Sequence, residues 1–120
     1  MQGNLADALD LQQRALKIRE QVYGSEHPAV AASLYRVAMV RLAQNNYDEA
    51  EALCQRAIKI EEKLFGQSHP DIAKMLETLA EIYRASGQLQ VASAARERAA
   101  SILESFSRAP SDELMSENHR

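Results

Sequence analysis

Apolar residues recur along this chain at three- and four-residue steps, the spacing of one face of an α-helix. Val30, Leu34, Val37 and Ala38 form one stripe that ends at Arg41, and Ile72, Leu76, Leu79, Ala80 and Tyr83 form another with the same steps. A second kind of stripe is Ala50, Leu53, Ala57, Ile60 and Leu64. It returns as Ala8, Leu11, Ala15, Ile18 and Val22, and again as Ala92, Ala95, Ala99, Ile102 and Phe106. The breaks between stripes carry helix punctuation. Pro28 and Pro70 suit a first helical position, where the missing N–H would have had no partner. Gln44-Asn45-Asn46 and Ser86-Gly87-Gln88 each offer an Asn or Gly for a left-handed terminal residue, and Gly66 ends the helix that begins near Tyr47. The pattern predicts five helices, roughly 4–23, 29–44, 47–65, 71–86 and 89–106.

These stripes belong to a repeat. Gly24-Ser25-Glu26-His27-Pro28 returns 42 residues later as Gly66-Gln67-Ser68-His69-Pro70, and residues 5–46 laid on 47–88 give 15 identities in 42. Ala8/Ala50, Leu11/Leu53, Arg14/Arg56, Ile18/Ile60, Glu20/Glu62, Leu34/Leu76 and Ala38/Ala80 are among them, and Arg98, Ala99, Ile102 and Glu104 continue the register in a third, weaker copy. Each unit is two helices, and such units bury their apolar faces by stacking on one another.

Two helices per unit, alanines at the helix crossings and the Tyr47-Asp48-Glu49-Ala50 turn resemble the tetratricopeptide repeat. The 42-residue period and the Gly-x-x-His-Pro linker look like its kinesin-light-chain-type variant. The resemblance implies an all-α fold: a right-handed superhelix of antiparallel helix pairs, here five helices or about two and a half repeats. The expected division is a helical repeat domain over 1–106 and a disordered polar tail over 107–120, since the tail has one proline and no apolar period.

Composition sharpens this picture. The 120 residues hold 20 alanines and 13 leucines, and only 5% are aromatic, so the core must come from small and aliphatic side chains. The net charge of -3 and the absence of a basic run argue against nucleic acid or anionic membrane as a partner. A transmembrane span is not expected, because no apolar run reaches the required length. The start of the chain does not read as a secretory signal, and a lone Cys54 suits a reducing compartment, so a cytoplasmic location is expected.

Candidate chemistry is sparse. His27 and His69 repeat, but each sits in a linker before proline, with no second ligand three or four residues on, so capping or packing of the next helix is expected and no metal site is predicted. Cys54 reads as a partly buried structural thiol. Glu61-Glu62-Lys63 reads as a solvated helix face with local ion pairs. With no nucleophile motif, phosphate loop or clustered acid pair, neither an enzyme nor a cofactor is expected.

The expected function is protein–protein interaction. The resemblance implies that the first helix of each unit lines a concave groove. Its positions off the core stripe are Tyr35, Arg36, Met39 and Leu42 in one unit, and Lys74, Glu77, Thr78, Glu81 and Arg84 in the next. These are the candidate contacts for a peptide or protein segment; Tyr, Met and Arg are enriched at such surfaces. Glu77 and Glu81 would repel the terminal carboxylate that chaperone-tail grooves of this family hold. The alternatives are a regulatory segment of a larger protein and a self-association unit. The chain opens on a second-type helix whose partner is missing, so it reads either as a fragment of a longer array or as a unit pairing through that edge. In a homo-oligomer this helix would bury Leu5, Leu9 and Leu16.

Overall fold

The computed structural model describes the backbone of residues 2–118 and the side chains of residues 3–107. Its helices are α1 (Gln2–Tyr23), α2 (Pro28–Ala43), α3 (Tyr47–Phe65), α4 (Pro70–Ala85) and α5 (Leu89–Asn118), and the described residues contain no strand. Successive helices pack on one another, and α2 also touches α4. The sequence expectation of five helices and a stacked all-α repeat therefore holds.

Local chemistry sets the helix boundaries. His27 and His69 are extended N-cap residues whose Nδ1 atoms accept the amides of Ala29 (3.0 Å) and Asp71 (3.1 Å). Each cap satisfies a first-turn donor that the helix itself cannot satisfy. The histidine rings also pack, His27 stacking on Tyr23 with centroids 4.2 Å apart and His69 tilted against Phe65 at 5.0 Å. At the far ends, Asn45 and Gly87 occupy equivalent positions with φ of 63° and 87°. The next amides, Asn46 and Gln88, then donate back to the carbonyls of Arg41 and Tyr83 at 2.8 Å, closing the helix ends. Gly66, at φ 84° and ψ 178°, stands in backbone space that a side chain would strain.

The core runs through the middle of the stack. Val30, Leu34 and Ile72 are fully buried, and so are Ala31, Ala38, Ala50, Ala57 and Ala73. Those alanines let the helices approach closely, so burial is reached with few aromatic rings. Cys54 is more buried than expected. Its thiol has no exposure and donates to the Met75 carbonyl at 3.4 Å, and burial pushes its pKa up to about 12. A thiol held protonated in this way is a weak nucleophile.

Three expectations are corrected. Helical backbone in α5 continues to Asn118, past the end expected at 106; His119 and Arg120, the last two residues of the expected tail, lie outside the described residues. In α1, the stripe pattern places Leu11, Ile18 and Val22 in the core, yet they are 63%, 59% and 66% exposed. Ile60, the counterpart of Ile18, is buried because α3 lies between α2 and α4, whereas among the described residues the backbone of α1 packs closely only against α2; Leu64, the counterpart of Val22, is itself 42% exposed. Finally, Glu61-Glu62-Lys63 is solvated only in part, with Lys63 exposed as expected, and its ion pairs are not local. Glu61 is buried, Glu62 binds Arg98 at 2.6 Å and Lys63 binds Glu26 at 2.7 Å, contacts that join separate elements. The Arg98–Glu62 pair repeats Arg56–Glu20 (2.9 Å) one unit along, linking successive second-type helices. Partly exposed pairs of this kind contribute up to about 1 kcal/mol each.

Candidate functional site

The first helices of the two units, α2 and α4, lie side by side, and a cleft of about 230 Å³ opens between them. Ala32, Tyr35, Arg36 and Met39 line it from α2, Asp71, Lys74 and Met75 from α4, and Glu61 from the end of α3. Of the nine residues expected to contact a partner, Tyr35, Arg36, Met39 and Lys74 come together here. Arg36 and Met39 are exposed, so a cation and a flexible thioether are presented to solvent together.

One hydrogen bond holds the tyrosine that lines the cleft. The Tyr35 and Thr78 hydroxyls share a bond of 2.6 Å, which orients the tyrosine ring, and Lys74 Nζ lies 5.8 Å from that ring's centroid. Burial chiefly raises the Tyr35 pKa; the Thr78 bond opposes the shift, and Cys54, Glu77 and Glu81 add to it. Tyr35 therefore stays a neutral phenol. Thr78 acts through Tyr35 and is half-buried. Glu77, Glu81 and Arg84 are exposed farther along α4 and do not line the cleft, while Leu42 is half-buried against the core.

Two features escape the sequence patterns. Glu61 is 4% exposed, and its Oε2 has no hydrogen-bond partner. Burial chiefly raises its pKa, the Asp71 carboxylate adds to the shift and His69 opposes it. The other feature is a cluster: one oxygen of Glu61, one of Asp71 and one ring nitrogen of His69 lie within 4.8 Å of one another. The spacing test for metal ligands fails here because Glu61 arrives from the preceding helix, eight residues before His69, and helix packing rather than local periodicity unites them.

The residues expected for self-association are placed differently. Leu5, Leu9 and Leu16 are half-buried, and Leu16 packs against the core. The apolar side chains that α1 turns outward are instead Leu11, Ile18 and Val22.

A stack of helical hairpins with a polar-rimmed concave cleft defines the helical-repeat class of proteins. The tetratricopeptide repeat family model matches residues 1–53 and again 30–105, and the chain belongs to that family. Solved relatives are of the kinesin-light-chain type. A putative kinesin light chain with nearly identical TPR-like repeats from Podosopora anserina is 28% identical with a TM-score of 0.79, over 92% of this chain and 53% of that one; a point variant of it matches equally. BtubC (BKLC) from P. vanneervenii is 25% identical with a TM-score of 0.75, over 81% of this chain and 39% of that one. This chain thus spans between 39% and 53% of those structures. No curated protein matches it. Repeats of this family generally mediate protein interactions, on a fold that is typically a non-catalytic scaffold, and no helix among the described residues is long and apolar enough to cross a membrane.

Proposed function

We propose that this chain is a protein–protein interaction module that binds a peptide or protein segment along its concave face, with no catalysis, in the cytoplasm. The observation that carries this reading is the cleft between α2 and α4, where Tyr35, Arg36, Met39 and Lys74 converge and the Tyr35–Thr78 bond holds the tyrosine. Its mechanism is shape with a few anchors: a cleft already formed in the free protein confines the entropy cost to the incoming segment. Glu77, Glu81 and Arg84 would extend the contact along the groove beyond the cleft, with Leu42 offering only the part of its side chain that the core leaves uncovered. The repeat domain ends near residue 106 in this reading, with 107–120 as a tail outside the groove.

The test is partner capture followed by affinity measurement. Arg36→Glu combined with Met39→Ala should weaken binding by about tenfold or more, the effect of losing one or two interface anchors, while circular dichroism stays unchanged. Undiminished affinity in a folded double variant would remove the cleft from the interface.

A second reading rests on the outward apolar face of α1. Leu11, Ile18 and Val22 stand on one helical stripe, each more than half exposed, and such a strip fits contact with another chain, including a second copy. Under this reading the wild type forms a dimer by light scattering, and Leu11→Lys with Ile18→Lys gives monomers. A wild type that stays monomeric up to millimolar concentration, or a dimer that survives the substitutions, defeats it.

A further inference from the structure

We propose that Glu61, His69 and Asp71 form a binding site for a divalent transition-metal ion of the zinc class at the junction of α3 and α4. Two carboxylates and one imidazole are a ligand set that such ions accept, and one donor atom from each residue already lies within 4.8 Å of the others. The second observation is Glu61 itself. Its side chain is more than nine-tenths buried, it lines the cleft together with Asp71, and its Oε2 is shielded from solvent without a hydrogen-bond partner. A carboxylate oxygen in that position is costly unless a cation or donor reaches it.

The molecule contains its own control. In the preceding unit His27 caps α2 just as His69 caps α4, but the positions of Glu61 and Asp71 are taken by Arg19 and Ala29. The shared histidine is therefore explained by capping, and the two carboxylates are what the second junction adds. His69 Nδ1 accepts the Asp71 amide, so coordination through Nε2 keeps the cap and coordination through Nδ1 exchanges it for the metal. Three protein ligands leave a coordination position for water or for a side chain of a bound segment. Arg36 and Lys74 in the same cleft, with the positive end of α4, oppose a cation and weaken the site relative to the same three ligands without them. Metal binding needs no peptide, so this site stands or falls independently of the groove reading.

The test is calorimetric titration of the full chain with Zn²⁺ alone, alongside Co²⁺ absorption spectra, after chelator treatment. One ion per chain is expected. Glu61→Gln, Asp71→Asn and His69→Asn, the last keeping a good N-cap residue, should each weaken binding at least about tenfold, the scale reached even by outer-shell partners of a metal. His27→Asn should leave it unchanged. Absence of saturable binding, affinity unaltered in a folded Glu61→Gln or Asp71→Asn variant, or loss on His27→Asn would overturn the proposal. Should Glu61→Gln fail to fold, the exposed Asp71→Asn decides.

Discussion

The α1–α2 and α3–α4 junctions share one frame and place opposite charges at the same point in it. In both, a glycine with positive φ leads to a histidine that caps the next helix and packs on an aromatic ring one turn back. In the first, Arg19 fills the junction: Nη1 donates to the Ala29 carbonyl at 3.2 Å and to the Ser33 hydroxyl at 3.0 Å, and Ser33 is fully buried. In the second, one unit along, Glu61 replaces Arg19 and Met75 replaces Ser33. The carboxylate is buried with an oxygen unused, and the neighbouring thioether offers only a weak acceptor. One frame thus supports a closed polar contact in one unit and an open one in the next. The frame accounts for the fold, and the residue that departs from the repeat is where ligand chemistry enters.

The sharpest way to break this comparison is to empty the first junction. Arg19→Met would remove both donations and leave the buried Ser33 hydroxyl without its donor. The expected cost is about 1–3 kcal/mol, or a fall in melting temperature of about 4 °C per kcal/mol, where the ranges for smaller and larger domains meet. Thermal denaturation by circular dichroism reads it. A melting temperature equal to wild type would mean that Arg19 is incidental, and the contrast between a satisfied and an unsatisfied junction would lose one of its sides.

The frame is legible in the sequence because it is periodic. His-Pro, the terminal Asn45 and Gly87, and the alanine crossings all recur at 42 residues, and each acts through its own backbone or an adjacent helix. Tyr35, Arg36, Met39 and Lys74 are legible for the same reason, since positions off a stripe follow once the stripe is known. What escapes depends on which helices surround a residue. Ile18 and Ile60 occupy the same position of successive units, yet one is exposed and the other buried, because α3 has a helix packed on each side and α1 does not. Glu61 escapes through its company. Beside Glu62 and Lys63 it looks like surface, but those two reach outward to Arg98 and Glu26 while Glu61 turns into the α4 junction. Charge alone does not reveal which member of such a run points inward.

The smaller and oppositely signed test is Glu61→Met, carried out in metal-free buffer. Replacing a buried, unpaired charge by an apolar side chain of similar volume is often neutral or stabilising, so the variant should melt slightly above wild type at pH 7. The pH dependence identifies the cause. Burial, then Asp71, raise the folded-state pKa of Glu61 above its usual value of 4.5. The folded chain therefore binds this proton more readily than the unfolded chain, and wild-type stability carried by this group rises as pH falls. The penalty is fully present above the raised pKa and disappears as pH drops through it toward 4.5. The advantage of Glu61→Met should accordingly shrink over that interval, whereas the deficit of Arg19→Met, which rests on a guanidinium that does not titrate there, should be unaffected through this group. A Glu61→Met variant less stable than wild type at pH 7, or one whose difference from wild type does not change between pH 7 and 4.5, would mean that the Glu61 carboxylate already has a partner, and the second junction would then be as closed as the first.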